Sequence, residues 1–202
     1  MAITFQYNKT SLQQVEKQLK IRVRALPTIK NKESALRIEV KKAKDETLRL
    51  DDLLKQKLAG YDRMVAMWGE FDFSLVSVQD IELGIKKIAG VKTPVLNNIV
   101  FSIKPFSVFN NPKWYLDGIA LVKEIASIGI EKEVFTRKMQ LLDRARKKTT
   151  QKVNLFEKVQ IPGYEDAIRR IKRFLEDEEN LSKSAQKIIK AHQEELNTSE
   201  VA

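Results

Sequence analysis

Few residues in this 202-residue chain could do chemistry, and their spacing argues against it. The single histidine, His192, lies near the expected frayed end of the chain, a poor place for a triad or a general base. Asp51-Asp52 and Asp177-Glu178-Glu179 are the candidate metal ligands. Adjacent residues of a helix project in different directions, so such runs read as solvated faces rather than coordination sets. Cysteine is absent, which excludes a thiolate nucleophile, a thiolate metal site and a disulfide framework. The seven glycines are scattered singly, and no Gly-rich phosphate cradle precedes a helix. No catalytic residue, cofactor site or metal site is expected.

What remains is charge. The net charge is +10, and it is concentrated. Residues 1–58 hold 14 Lys/Arg against 7 Asp/Glu, and residues 137–158 hold 8 against 2, whereas 70–136 is near neutral. Arg137, Lys138, Arg144, Arg146, Lys147, Lys148 and Lys152 form a basic collar, whose chemistry is long-range attraction for an acidic surface.

The elements that must present this collar are long helices. From Leu12, alternating steps of 3 and 4 reach Val15, Leu19, Arg22, Leu26, Ile29, Glu33, Leu36, Val40, Ala43, Thr47, Leu50, Leu54, Lys57, Tyr61, Met64 and Trp68. Sustained 3-4 alternation is a coiled-coil seam. Glu33–Arg37, Asp45–Arg49 and Asp51–Lys55 are spaced for acid-first i,i+4 pairs on its surface. Pro27 predicts a kink or interruption near the start. A second seam runs through Leu121, Ile125, Ile128, Lys132, Phe135, Met139, Leu142, Arg146, Thr149, Val153 and Phe156. It restarts as Tyr164, Ile168, Ile171 and Leu175 after a one-residue slip at Ile161-Pro162-Gly163, where a break is predicted. A weaker stripe follows at Leu181, Ala185 and Ile188, and fraying is expected in "EELNTSEVA".

Between the seams, residues 76–110 alternate near period 2 and are rich in β-branched and aromatic side chains, which predicts a small hairpin with its edge strand at Pro105 and a turn at Asn110-Asn111-Pro112. Trp114-Tyr115 is read as an anchor for this insert. The expected fold is mainly α: an antiparallel two-helix coiled coil of N-terminal (1–69) and C-terminal (114–202) helices, with the insert (70–113) at the far tip. No apolar leader precedes it and no run approaches a membrane span, so a cytoplasmic chain is expected.

"KVNLFEKVQIPGYEDAIRRIKRFLEDEE" (152–179) resembles the C-terminal helix of the D subunit of the V-type/A-type rotary ATPases. The family's T-x-x-x-V-N-x-x-E segment followed by Ile-Pro is matched by Thr149 or Thr150, Val153, Asn154, Glu157, Ile161 and Pro162, with Gly163 next. The Leu/Lys/Arg-rich first helix and "DIELGIKKIAGVKTPVL" are similar to the family as well. The resemblance implies a non-catalytic central rotor stalk of an ATPase or ATP synthase driving H⁺ or Na⁺ transport. It implies as partners three catalytic A and three non-catalytic B subunits, the small F subunit of the stalk and the subunit capping the membrane ring. The location implied is peripheral, at the inner face of the cell membrane, with no membrane insertion and no nucleic acid. The basic collar would be the bearing surface against the hexamer. A basic coiled coil that binds nucleic acid or an anionic membrane surface is the alternative.

Overall fold

A computed structural model describes residues 3–61, 69, 71–107, 112 and 114–200. Helix α1 (Lys9–Tyr61) is followed by a short 3-10 turn at Phe73–Leu75, strands β1 (Val76–Ile88) and β2 (Val91–Ile103), helix α2 (Tyr115–Leu155), a π-helical turn (Phe156–Gln160) and helix α3 (Ile161–Glu200). The chain is mainly helical, with a two-stranded antiparallel hairpin inserted between its N- and C-terminal helices. It divides into two compact units, Met1–Asn31 with Thr150–Ala202, and Lys32–Thr149.

In the first unit, α1 begins at a cap that the sequence specifies. Asn8 Oδ1 accepts the backbone N–H of Ser11 at 2.6 Å, satisfying one donor that the first turn leaves unpaired. Val15 packs with Ala167 and Ile171 of α3, and Phe5, Leu12, Tyr164, Ile168 and Leu175 close around them. Burying each large aliphatic side chain stabilises by about 1.5–3 kcal/mol. The pairing is antiparallel: Glu16 meets Lys172, Arg22 meets Gln160 and Lys30 meets Glu157.

The second unit repeats this logic. Leu36, Ala43 and Leu50 of α1 and Ile128 and Leu142 of α2 are buried, all on the seam positions. Asp51 pairs with Lys132 and Lys57 with Glu124, again antiparallel. Phe71, Leu75, Tyr115 and Ile119 form a further cluster with Val76, Phe106, Trp114 and Val122, so Trp114-Tyr115 is packed against residues on both sides of the hairpin. The hairpin turns through Ala89 (φ 48°) and Gly90 (φ 81°). Two consecutive positive φ angles are what a two-residue turn needs to follow the right-handed twist of its strands.

Four expectations are corrected. Of the kink or interruption expected at Pro27, the interruption is ruled out, since α1 runs through it. The proline is exposed, as is Val23, so the carbonyl that loses its partner can be hydrated while the seam passes undisturbed on the other face. Pro105 lies beyond β2; the proline inside the strand is Pro94, opposite Ile85, and a two-stranded sheet leaves its missing N–H no ladder to break on the outer edge. Arg49 pairs with Glu46, one residue nearer by the i,i+3 route, rather than with Asp45. Helix α3 continues to Glu200, past the expected fraying. Met64, Trp68, Asn110 and Asn111 lie outside the described residues.

Candidate functional site: the basic collar and the proline-glycine turn

The collar residues of the second unit stand on α2, and their charges are unequal. Arg146 donates from Nη2 to Asp143 at 2.7 Å and Lys147 meets the same carboxylate at 3.0 Å. Hydrogen bonding from Arg146, then from Lys147, holds the Asp143 carboxyl below the usual range. Arg137 reaches back one turn to Glu133 at 3.2 Å. Lys138 lies over the Phe135 ring at 5.2 Å. Arg144 and Lys148 are exposed and meet no carboxylate among the described residues. In the first unit, Lys152 lies 5.8 Å from the Phe156 ring centroid. Asp143 thus offsets one of the two charges of Arg146 and Lys147, whereas Arg144 and Lys148 are exposed and keep theirs in full.

The proline-glycine stretch is not a break. Ile161 donates its backbone N–H to the carbonyl of Phe156, five residues back, and α3 begins at Ile161 with Pro162 in its first turn. A proline in a regular α-helix clashes with the carbonyl four residues before it. Widening the preceding turn to the i→i−5 pattern removes that clash and inserts one extra residue. The slip between Phe156 and Tyr164 in the hydrophobic pattern is that extra residue, read in sequence as a fault and seen in structure as a π turn.

The wider turn is held by polar contacts to α1. Glu157 accepts from Lys30 Nζ at 2.7 Å, and Gln160 Oε1 accepts from Arg22 Nε at 2.8 Å. The Arg22 guanidinium also stacks 4.5 Å from the Tyr164 ring centroid. Val153 and Ile161 are half-buried, Asn154 and Pro162 exposed. Gly163 is covered by the N-terminal strap, residues 3–7: a Cβ placed at 163 would stand 3.0 Å from Ile3 Cδ1. Farther along the strap, Phe5 stacks on Tyr7 and Tyr7 on Phe174. Sequence reasoning missed this strap; the alternation of Ile3, Phe5 and Tyr7 ahead of the Asn8 cap was the signal.

Among the described residues no cluster of His, Asp and Glu could hold a metal ion. His192 is exposed on α3, and Asp51 serves two lysines rather than a metal. No described helix is long and apolar enough to cross a membrane.

Residues 11–191 match the family model described as the D subunit of ATP synthase. The chain is similar to the V-type ATP synthase D subunit of Borreliella burgdorferi, 30% identical over 91% of this chain and 92% of the relative. It is similar also to the V-type ATP synthase D subunit of Chlamydia muridarum, 26% identical over 96% of this chain and the relative's full length, and to that of Chlamydia felis, 28% identical over 75% and 76%. With its two paired seams, its hairpin insert and its Val-Asn…Ile-Pro segment, the chain belongs to the family of ATP synthase D subunits.

Proposed function

We propose that this chain is the non-catalytic central-stalk rotor shaft of a V/A-type rotary ATPase, carrying torque between ATP turnover in a hexamer of three A and three B subunits and ion transport by a membrane ring. The observation that carries the reading is the antiparallel pairing of the N- and C-terminal helices within each unit. Two-stranded pairing gives stiffness in bending and twisting that a single helix lacks. The absence of an internal repeat gives each side of the shaft a different face. The small F subunit and the ring-cap subunit complete the set of partners, and the complex sits at the inner face of the membrane.

The collar acts as the bearing in this reading. A surface that must turn inside a sleeve works through long-range attraction, because interdigitated apolar contact would lock it. Arg144 and Lys148 are the residues best placed for that, being exposed and unneutralised. The π turn supplies a local offset in the C-terminal helix, giving the shaft eccentricity.

Reconstitution tests the proposal: the purified chain with the A and B subunits of the same organism, measured by native mass. One copy joining three A and three B at moderate salt is the expected result. Failure to assemble, together with salt-sensitive binding to duplex DNA or to anionic liposomes, would replace the shaft by the basic coiled-coil alternative.

A further inference from the structure

The hairpin carries a feature that neither the collar nor the coil explains. Strand register sets Lys87 directly opposite Lys92, and Ile85 opposite Pro94 on the same face. Like charges facing each other across a strand pair are unfavourable. Lys86 is exposed nearby, and Lys32 of α1 brings Nζ to 3.5 Å from where a Cβ at Gly90 would stand. None of these four lysines meets a carboxylate among the described residues.

Beside the lysine pair lies an apolar recess. Ile81, Leu83 and Pro94 of the hairpin face Ile130 and Val134 of α2 around a cavity of about 250 Å³. Its rim includes Arg137 and Glu133, which pair with each other. Leu83 is 54% and Ile85 76% exposed, two large aliphatics two residues apart on one strand that leave much of their surface open. Among the described residues no strand pairs with the outer edge of β1.

We propose that this end of the hairpin is a docking site for an acidic protein segment, one that places an aliphatic side chain in the Leu83–Ile130–Val134 recess and carboxylates on Lys87 and Lys92. The two halves of the patch specify the partner together. A recess lined by Ile, Leu, Val and Pro accepts a hydrocarbon side chain and gives nothing to a phosphate. The facing lysines are relieved only by negative charge, and they stand at the end of the apolar row, where residues flanking an inserted side chain would reach them. A flat anionic bilayer would meet the protruding Ile85 and the lysines but leave the recess empty. The open edge of β1 lets the segment bind extended, adding backbone hydrogen bonds to the side-chain contacts. The inference goes beyond the shaft reading and does not depend on it.

The test uses the full chain. A random peptide library displayed on phage is selected on the wild type at moderate salt, then re-bound to two variants, Lys87→Glu with Lys92→Glu, and Leu83→Ser with Ile85→Ser. Circular dichroism and melting confirm that both remain folded. The expected outcome is enrichment of peptides with an aliphatic residue flanked by Asp or Glu, whose binding falls about tenfold or more on each variant. The proposal is overturned if no peptide family depends on the lysine pair, or if the dependent peptides lack carboxylates. It is equally overturned if phosphatidylserine vesicles, and not peptides, are released by the charge reversal.

Discussion

Ile3 lies on Gly163, its Cδ1 within 3.0 Å of where a side chain at that position would begin. The glycine that sequence rules assign to a broken helix is instead a seat for the N-terminal strap. Gly163→Ala adds a methyl that the terminal atom of Ile3 can yield to, and removes glycine's entropic cost of about 0.5–1 kcal/mol in a helix. The melting temperature is therefore expected to hold or rise. Gly163→Ile should lift the strap, seen as faster proteolysis before Asn8 and loss of the Tyr7–Phe174 contact in aromatic circular dichroism.

The π turn makes a sharper prediction through a pair of changes. Deleting Lys158, which is exposed, would remove the extra residue and return Tyr164, Ile168 and Ile171 to an unbroken 3-4 phase. Pro162 would then sit in a regular helix, at a cost of about 3 kcal/mol. Adding Pro162→Ala to the deletion should recover most of that loss in urea melts. A deletion no worse alone than with Pro162→Ala would mean that the wide turn does not exist to accommodate proline. In the assembled complex, Pro162→Ala with Gly163→Ala should leave the chain at least as stable while weakening the coupling of rotation to ATP hydrolysis. Unchanged coupling would leave the turn without a role in torque.

Core and surface seam positions should separate cleanly. Leu142 is fully buried, and Leu142→Ala should cost about 2–5 kcal/mol by loss of burial plus the cavity left behind. Leu181 is 73% exposed, and Leu181→Ala should stay within about 0.5 kcal/mol. Denaturant melts of the two variants decide it.

Acid stability should report on Asp51. Hydrogen bonds from Lys132 and then Lys55 pull its carboxyl down from 3.8 to about 2. A carboxylate whose folded pKa is depressed contributes stability above its unfolded pKa and loses it as pH falls through the folded value. Asp51→Asn should thus lower the melting temperature at neutral pH, with the difference from wild type closing between pH 3.8 and about 2. A constant gap across that window would assign the effect to packing.

Within the collar, charge and stability should come apart. Arg144→Glu with Lys148→Glu should leave the isolated chain's melting unchanged, since both are exposed, yet weaken assembly with A and B subunits and flatten its salt sensitivity. Arg146→Ala should do the reverse, lowering the melting temperature with less effect on assembly, because it leaves the Asp143 carboxylate to Lys147 alone.

The seams were legible because a period of 3.5 sustained over tens of residues has no other stable use, and Leu36, Leu50, Leu142 and Ile171 are buried where it put them. The slip before Tyr164 was equally visible, but its form was not. Proline and glycine rules describe a regular helix, and they have no place for a turn that widens to take the ring. Pro27 misled for a related reason, since its effect depends on whether the freed carbonyl meets water, which only the fold decides. The strap over Gly163 left only the short alternation of Ile3, Phe5 and Tyr7, and nothing in five residues says which surface they cover.

The π turn also bears on how the chain can change over generations. One residue too many in a helix is what a single in-frame codon insertion would leave behind, and without a proline the turn could close again on loss of that codon. With proline at 162 the way back is shut: the deletion becomes damaging unless the proline is replaced first. A length difference of one residue among related chains at this point should therefore track the presence of the proline, which turns an apparent alignment gap into a marker of order of events.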